Sequence, residues 1–118
     1  MPRFLLLILC LFPAFGSAQR ASETKAGELR WLDRTTGELQ SFIISIGEPV
    51  TLGPLDIRLK ACRYPENEIS LDAFALLSIY DTRSKDQLFE GWMIASSPAL
   101  NALEHPRYDV WVLRCKIL

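Results

Sequence analysis

Turn-forming residues interrupt this 118-residue chain so often that long regular elements have no room. Arg34-Thr35-Thr36-Gly37, Gly47-Glu48-Pro49 and Gly53-Pro54 each follow a short apolar run, and they carry the residues that tight turns favour. The runs between such breaks are short, and several alternate, which marks strands and not helices. Seven strands are expected: Glu28 to Asp33, Glu38 to Ile46, Val50 to Leu52, Leu55 to Arg63, Asp72 to Asp81, Gln87 to Ala95 and Tyr108 to Lys116. The expected fold is all-β, a small β-sandwich or closed barrel of about seven short strands with one short helix near 98–104.

The strand at Leu55 to Arg63 is the clearest. Leu55, Ile57, Leu59 and Ala61 share one face, and Asp56, Arg58 and Lys60 share the other, the pattern of a half-buried strand. Cys62 then falls on the polar parity. Either a bridge from it lies on the outer face, or a bulge near Lys60–Ala61 turns it inward. The bulge is favoured, because Cys115 shares parity with Trp111 and Leu113, read as a core face. Asp72 to Asp81 is apolar on both parities and is expected to be central in its sheet. The helix rests on Ser97 as its cap, Pro98 in the first turn, and Leu100 and Leu103 on one face. On that reading Ser97→Ala costs about 1 kcal/mol.

Residues 1–18 read as a cleaved export signal. Arg3 is followed by an apolar run from Phe4 to Phe12, then Pro13 and the small residues Gly16-Ser17-Ala18. That run is too short to span a bilayer. The expected mature chain is extracytoplasmic and has no membrane span, with a flexible leader over 19–27 and a single β-domain over 28–118. It carries twelve basic and fourteen acidic residues, a near-neutral balance that gives no basic stripe for nucleic acid. With Cys10 leaving in the signal, Cys62 and Cys115 remain as an even pair in an oxidising compartment, so a disulfide is expected. One His and two distant Cys make no recognisable metal site, and no cofactor motif is present.

The C-terminal run is the most distinctive. Gly91-Trp92-Met93-Ile94-Ala95-Ser96-Ser97-Pro98 is followed by His105-Pro106, Tyr108-Asp109-Val110-Trp111 and Cys115. Upstream stand Leu29-Arg30-Trp31-Leu32-Asp33 and Thr36-Gly37. Together these closely resemble an uncharacterised family of exported alphaproteobacterial proteins, domain of unknown function 2155, over about Glu28 to Lys116. The resemblance implies the periplasm of a Gram-negative cell and a shared fold, and it implies no activity.

Four chemistries deserve weighing against plainer roles. Ser96, Ser97, His105 and Asp109 invite a Ser-His-Asp reading, yet no nucleophile elbow or Gly-rich oxyanion loop accompanies them. The plainer role is a capped helix whose exit is fixed by an imidazole hydrogen bond. A Cys115–His105 thiolate pair competes with the disulfide, and Glu66, Glu68 and Asp72 lack the glycine of a calcium loop. Trp111 reads as core, whereas Trp92 suits core or groove equally. No catalytic residue is assigned. The expected function is a non-enzymatic periplasmic interaction module, an accessory or assembly factor of an envelope or inner-membrane complex. Its candidate surface comprises Trp92, Ser96, Ser97, His105, Arg107 and Tyr108. The alternative is a small-ligand-binding periplasmic domain, with a hydrolase behind both; the partner is thus an envelope protein or a small ligand, neither identified by sequence.

Overall fold

A computed structural model of the chain describes residues 21–118. The export signal expected over 1–18, Cys10, and the first residues of the expected leader lie outside them. Eight strands are present: β1 Ala21–Thr24, β2 Ala26–Asp33, β3 Leu39–Ser45, β4 Val50–Leu52, β5 Leu55–Pro65, β6 Phe74–Asp81, β7 Gln87–Ile94 and β8 Tyr108–Lys116. All strand pairings are antiparallel. In the larger sheet β5, β6 and β7 lie side by side, with β1 and β4 pairing to the remaining edge of β5; the smaller sheet runs β3-β2-β8. The two sheets remain separate, so the fold is a sandwich and not a closed barrel.

The inward faces follow strand periodicity. Leu29 and Trp31 from β2, Ile44 from β3, and Val110 and Val112 from β8 meet Leu55, Ile57, Leu59, Ala75, Leu77, Ile79 and Met93 from the larger sheet. Burying one such aliphatic side chain contributes about 1.5–3 kcal/mol. The β6 strand lies between β5 and β7 as expected. Its second apolar parity, Phe74 and Leu76, is only half-buried on the outer face, where Leu76 stands between Ala61 and Trp92.

Two bulges bring the cysteines together. The β5–β6 register shifts between Leu59 and Ala61, leaving Lys60 as the extra residue, so Cys62 turns inward. This is the bulge expected from the parity of β5. The β2–β8 register shifts too: Glu28 faces Arg114 while Leu29 faces Val112, so Leu113 is the extra residue. Cys115 therefore points inward with Val110 and Val112, and Trp111 and Leu113 do not. The Cys62–Cys115 disulfide crosses the core from one sheet to the other with a Cα–Cα distance of 5.8 Å, within the usual span for such a bridge.

Three local expectations are corrected. Residues 21–27, read as a loose leader, form β1 and the start of β2. The polar segment Ala21–Thr24 is held by backbone pairing to the end of β5 and by the Glu23–Arg63 ion pair at 2.8 Å, neither of which a hydrophobic pattern records. Residues 98–104 form no helix. Leu100 is 74 % exposed while Leu103 is 3 % exposed, so the two do not share a buried face. Without that face, two turns cannot offset the cost of nucleation, and a single turn, Leu100 N donating to Ser97 O, is what remains. Trp111, expected in the core, lies half-buried on the outer face of the smaller sheet.

Candidate functional site

The distinctive residues assemble where β2 ends and β8 begins. Asp33 closes β2 with a turn: its amide donates to Glu38 O, and Gly37 N donates back to Asp33 O. Its Oδ1 accepts from Thr35 N at 2.9 Å, an Asx-type turn. Arg107, just before β8, meets the same carboxylate at two points, Nε to Oδ1 at 3.1 Å and Nη2 to Oδ2 at 3.0 Å. The Arg107 hydrogen bond holds the Asp33 carboxyl at about 2 against the opposing effect of burial, and the Thr35 and Thr36 amides add to it.

Arg34 reinforces this junction. Its amide donates to Arg107 O, Nη1 to His105 O at 2.7 Å, and Nη2 to Asp109 Oδ2 at 3.3 Å. The imidazole of His105 accepts at Nδ1 from the amides of Arg107 and Tyr108, at 3.0 and 3.1 Å. Two donors at Nδ1 assign the ring proton to Nε2 in the neutral form. The expected imidazole hydrogen bond is thus present, and it shapes a loop exit where a helix exit was expected. Tyr108 then stacks on Trp31 with ring centroids 5.6 Å apart, and the bare Cα of Gly53 faces both rings.

The remaining candidates occupy other networks. Ser96 Oγ donates to Asp72 Oδ2 at 2.7 Å, and its amide donates to Asp72 Oδ1 at 3.0 Å. Among the described residues no hydrogen bond joins a serine to His105 or His105 to Asp109, so no Ser-His-Asp relay is assembled. Cys115 is in the disulfide and offers no thiolate to His105. Asp72 is committed to Ser96 and to the Ala73 amide, and among the described residues no three His, Cys, Asp or Glu side chains gather as a metal site. Nor is any helix among the described residues long and apolar enough to cross a membrane.

Trp92 lies on the outer face of the larger sheet with the Arg63 guanidinium 5.1 Å over its ring, and its carbonyl accepts from Asn101 Nδ2 at 3.0 Å. Tyr108 is 8 % exposed and belongs to the core. Of the six candidate surface residues, His105, Arg107 and Tyr108 meet at the β2–β8 junction, whereas Trp92 faces out from β7, Ser96 is tied to Asp72 and the Ser97 carbonyl accepts from Leu100 N. The loop between β7 and β8 forms one wall of a groove of about 390 Å³. Pro98, Ala99 and Ala102 face Asp109, Val110 and Trp111 across it. Sequence reasoning passed over Arg34 and Asp72 as partners, since their contacts lie 71 and 24 residues away and leave no local signal. Asp33 had one, an Asp placed four residues before Gly37 after a strand.

Comparison with known proteins follows the same boundaries. The family model described as "uncharacterized protein conserved in bacteria (DUF2155)" matches residues 27–115, from the start of β2 to the disulfide cysteine of β8. The uncharacterized protein RP359 of Rickettsia prowazekii (strain Madrid E) is 27 % identical over 92 residues, covering 75 % of this chain and 59 % of the relative. The chain therefore spans about three fifths of that relative's length. No solved structure matches the chain. With the family match running through both sheets, the chain belongs to the bacterial family of domain of unknown function 2155.

Proposed function

We propose that this domain is a non-enzymatic interaction module of the periplasm, an accessory or assembly factor that docks on an envelope or inner-membrane complex. The observation that carries the reading is where the polar groups go. Asp33, Arg34, Ser96, His105, Arg107 and Asp109 spend their hydrogen bonds on one another, on Asp72 or on the main chain, which is the chemistry of a scaffold. The loop they brace leaves Leu100 74 % exposed beside the Trp111 groove, and exposed apolar side chains on a braced loop suit partner contact. The buried Cys62–Cys115 bridge suits an oxidising compartment.

The test places a photoreactive residue at Leu100 and crosslinks in living cells, with mass spectrometry of the adduct. One stoichiometric protein partner supports the reading. A folded, exported protein that gives no adduct from Leu100 or from the outer face of the smaller sheet overturns it. A second reading, a small-ligand binder, is favoured by the apolar lining of the same groove. A reproducible rise in melting temperature with a cell-wall, lipid or metabolite panel would select it by linkage.

A further inference from the structure

The outer face of the smaller sheet has an order that the interaction reading does not require. Strand register sets it out as three rows of three across β3, β2 and β8: Leu39–Leu32–Asp109, Ser41–Arg30–Trp111 and Ile43–Glu28–Arg114. These side chains point away from the core, because their neighbours Leu29, Trp31, Ile44, Val110 and Val112 are the buried ones. Leu39 and Ile43 are about half exposed, at 54 % and 48 %. The charges in the outer rows are matched: Asp109 pairs with Arg34, and Glu28 with Arg114. The central row is not. Arg30 bonds only the Ser41 hydroxyl, through Nε at 3.1 Å, and makes no ion pair among the described residues. Beside it Trp111 leads into the groove closed by Pro98, Ala99 and Ala102.

Resting on the interaction-module reading, we infer that this face docks a segment of a partner protein that presents a carboxylate between apolar side chains. The carboxylate meets Arg30, and an apolar neighbour enters the groove beside Trp111. Charge complementarity decides the occupant. Arg30 has Trp111 and Ser41 across the sheet and Leu32 and Glu28 along β2, with Glu28 already committed to Arg114. Its guanidinium can pair with a planar carboxylate at two points, and the pair strengthens where Trp111 and Leu32 exclude water. A second copy packed face to face with its twofold axis through the central row would set Arg30 against its own equivalent, where like charges repel. An anionic membrane surface calls for a cluster of cations, whereas among the described residues this face carries one unmatched guanidinium.

The chain, with its own N-terminus and its disulfide oxidised, is used to select peptides from a random displayed library. The expected consensus has Asp or Glu flanked by apolar residues, and a synthetic peptide of that consensus loses roughly tenfold or more in affinity with Arg30→Ala or Trp111→Ala, the loss of one well-placed contact. Selection with Arg30→Glu is expected to exchange the acidic residue for Lys or Arg, a reversal that misfolding cannot produce. A consensus without an acidic residue, or an affinity unmoved by Arg30→Glu, overturns the proposal. So does self-association in sedimentation equilibrium that Trp111→Ala abolishes, or binding to phosphatidylglycerol vesicles that Arg30→Ala abolishes. Photocrosslinking from Ile43 beside Leu100 separates the two claims. An adduct from Leu100 alone overturns this face and leaves the module; no adduct from either position overturns both.

Discussion

Asp33 and Arg107, 74 residues apart in sequence, form a two-point ion pair that ties the end of β2 to the start of β8. The carboxylate side chain is nearly covered, at 6 % exposure, while the guanidinium remains half open at 48 %. The Arg107 hydrogen bond, acting against burial, lowers the Asp33 carboxyl from its usual 3.8 to about 2. A lowered folded-state value means that the ionised form stabilises the fold. That contribution is complete above the unfolded value and is lost as pH falls toward 2. Asp33→Asn keeps the shape and removes the charge. The wild-type melting temperature should therefore exceed that of the variant at neutral pH, with the difference narrowing below about pH 4. Melting curves at steps between pH 6 and pH 2 decide it, and a gap of unchanged size at pH 2 refutes the assignment.

The disulfide joins the two sheets across the core, not two neighbours in one sheet. Replacing Cys62 and Cys115 together by Ser releases a loop of 52 intervening residues, and the chain-entropy relation gives a loss of about 4 kcal/mol. That is a large share of the roughly 5–15 kcal/mol typical of a small domain. Urea unfolding of the oxidised wild type against the double variant measures it. Thiol titration of the denatured, unreduced wild type should find neither Cys62 nor Cys115 free.

How far the fold was legible depends on whether the determining contact is local. The bulge at Lys60 could be read because Leu55, Ile57 and Leu59 fix a parity that Cys62 violates. The bulge at Leu113 could not, because Trp111, Leu113 and Cys115 form a consistent apolar series of their own, and only pairing with β2 shows Val110 and Val112 to be the buried ones. Strand β1 is polar and exists through backbone bonds to β5, so its signal lies forty residues downstream. The loop at 97–104 has good helical end signals, yet Leu100 finds nothing to pack on, and tertiary packing overrides local preference. At the candidate site, the residue types were visible in sequence. Their division into a β2–β8 brace and a separate Ser96–Asp72 tie was not, since each partner lies on another strand or loop.

Adjacent serines give a sharp contrast. Ser96 reaches Asp72 with both its hydroxyl and its amide, whereas the carbonyl of Ser97 accepts the turn bond from Leu100. Ser96→Ala should cost about 1 kcal/mol, the usual net worth of one such hydrogen bond. Ser97→Ala should stay within about 0.5 kcal/mol, as surface changes do when no cap or network is involved. Chemical denaturation of both variants checks the order. A larger loss at Ser97 would restore the helix-cap reading.

Gly91 sets how the same loop rests on β7. Its φ is +157°, and a Cβ there would stand 2.7 Å from Asn101 Nδ2, the group that donates to Trp92 O. Gly91→Ala must therefore displace the amide and lose that hydrogen bond, on top of a backbone conformation that L side chains resist. A loss of about 2 kcal/mol is expected, with faster hydrogen exchange across 97–104, a segment lacking helical or strand bonds of its own. Asn101→Ala should reproduce the faster exchange at a smaller cost of about 1 kcal/mol, because it removes the tie without straining the backbone. Both variants act through one contact, so the double variant should exchange no faster than Gly91→Ala alone. If instead the two effects on exchange add, the loop is held by something other than Asn101, and the route from Gly91 to the groove wall fails.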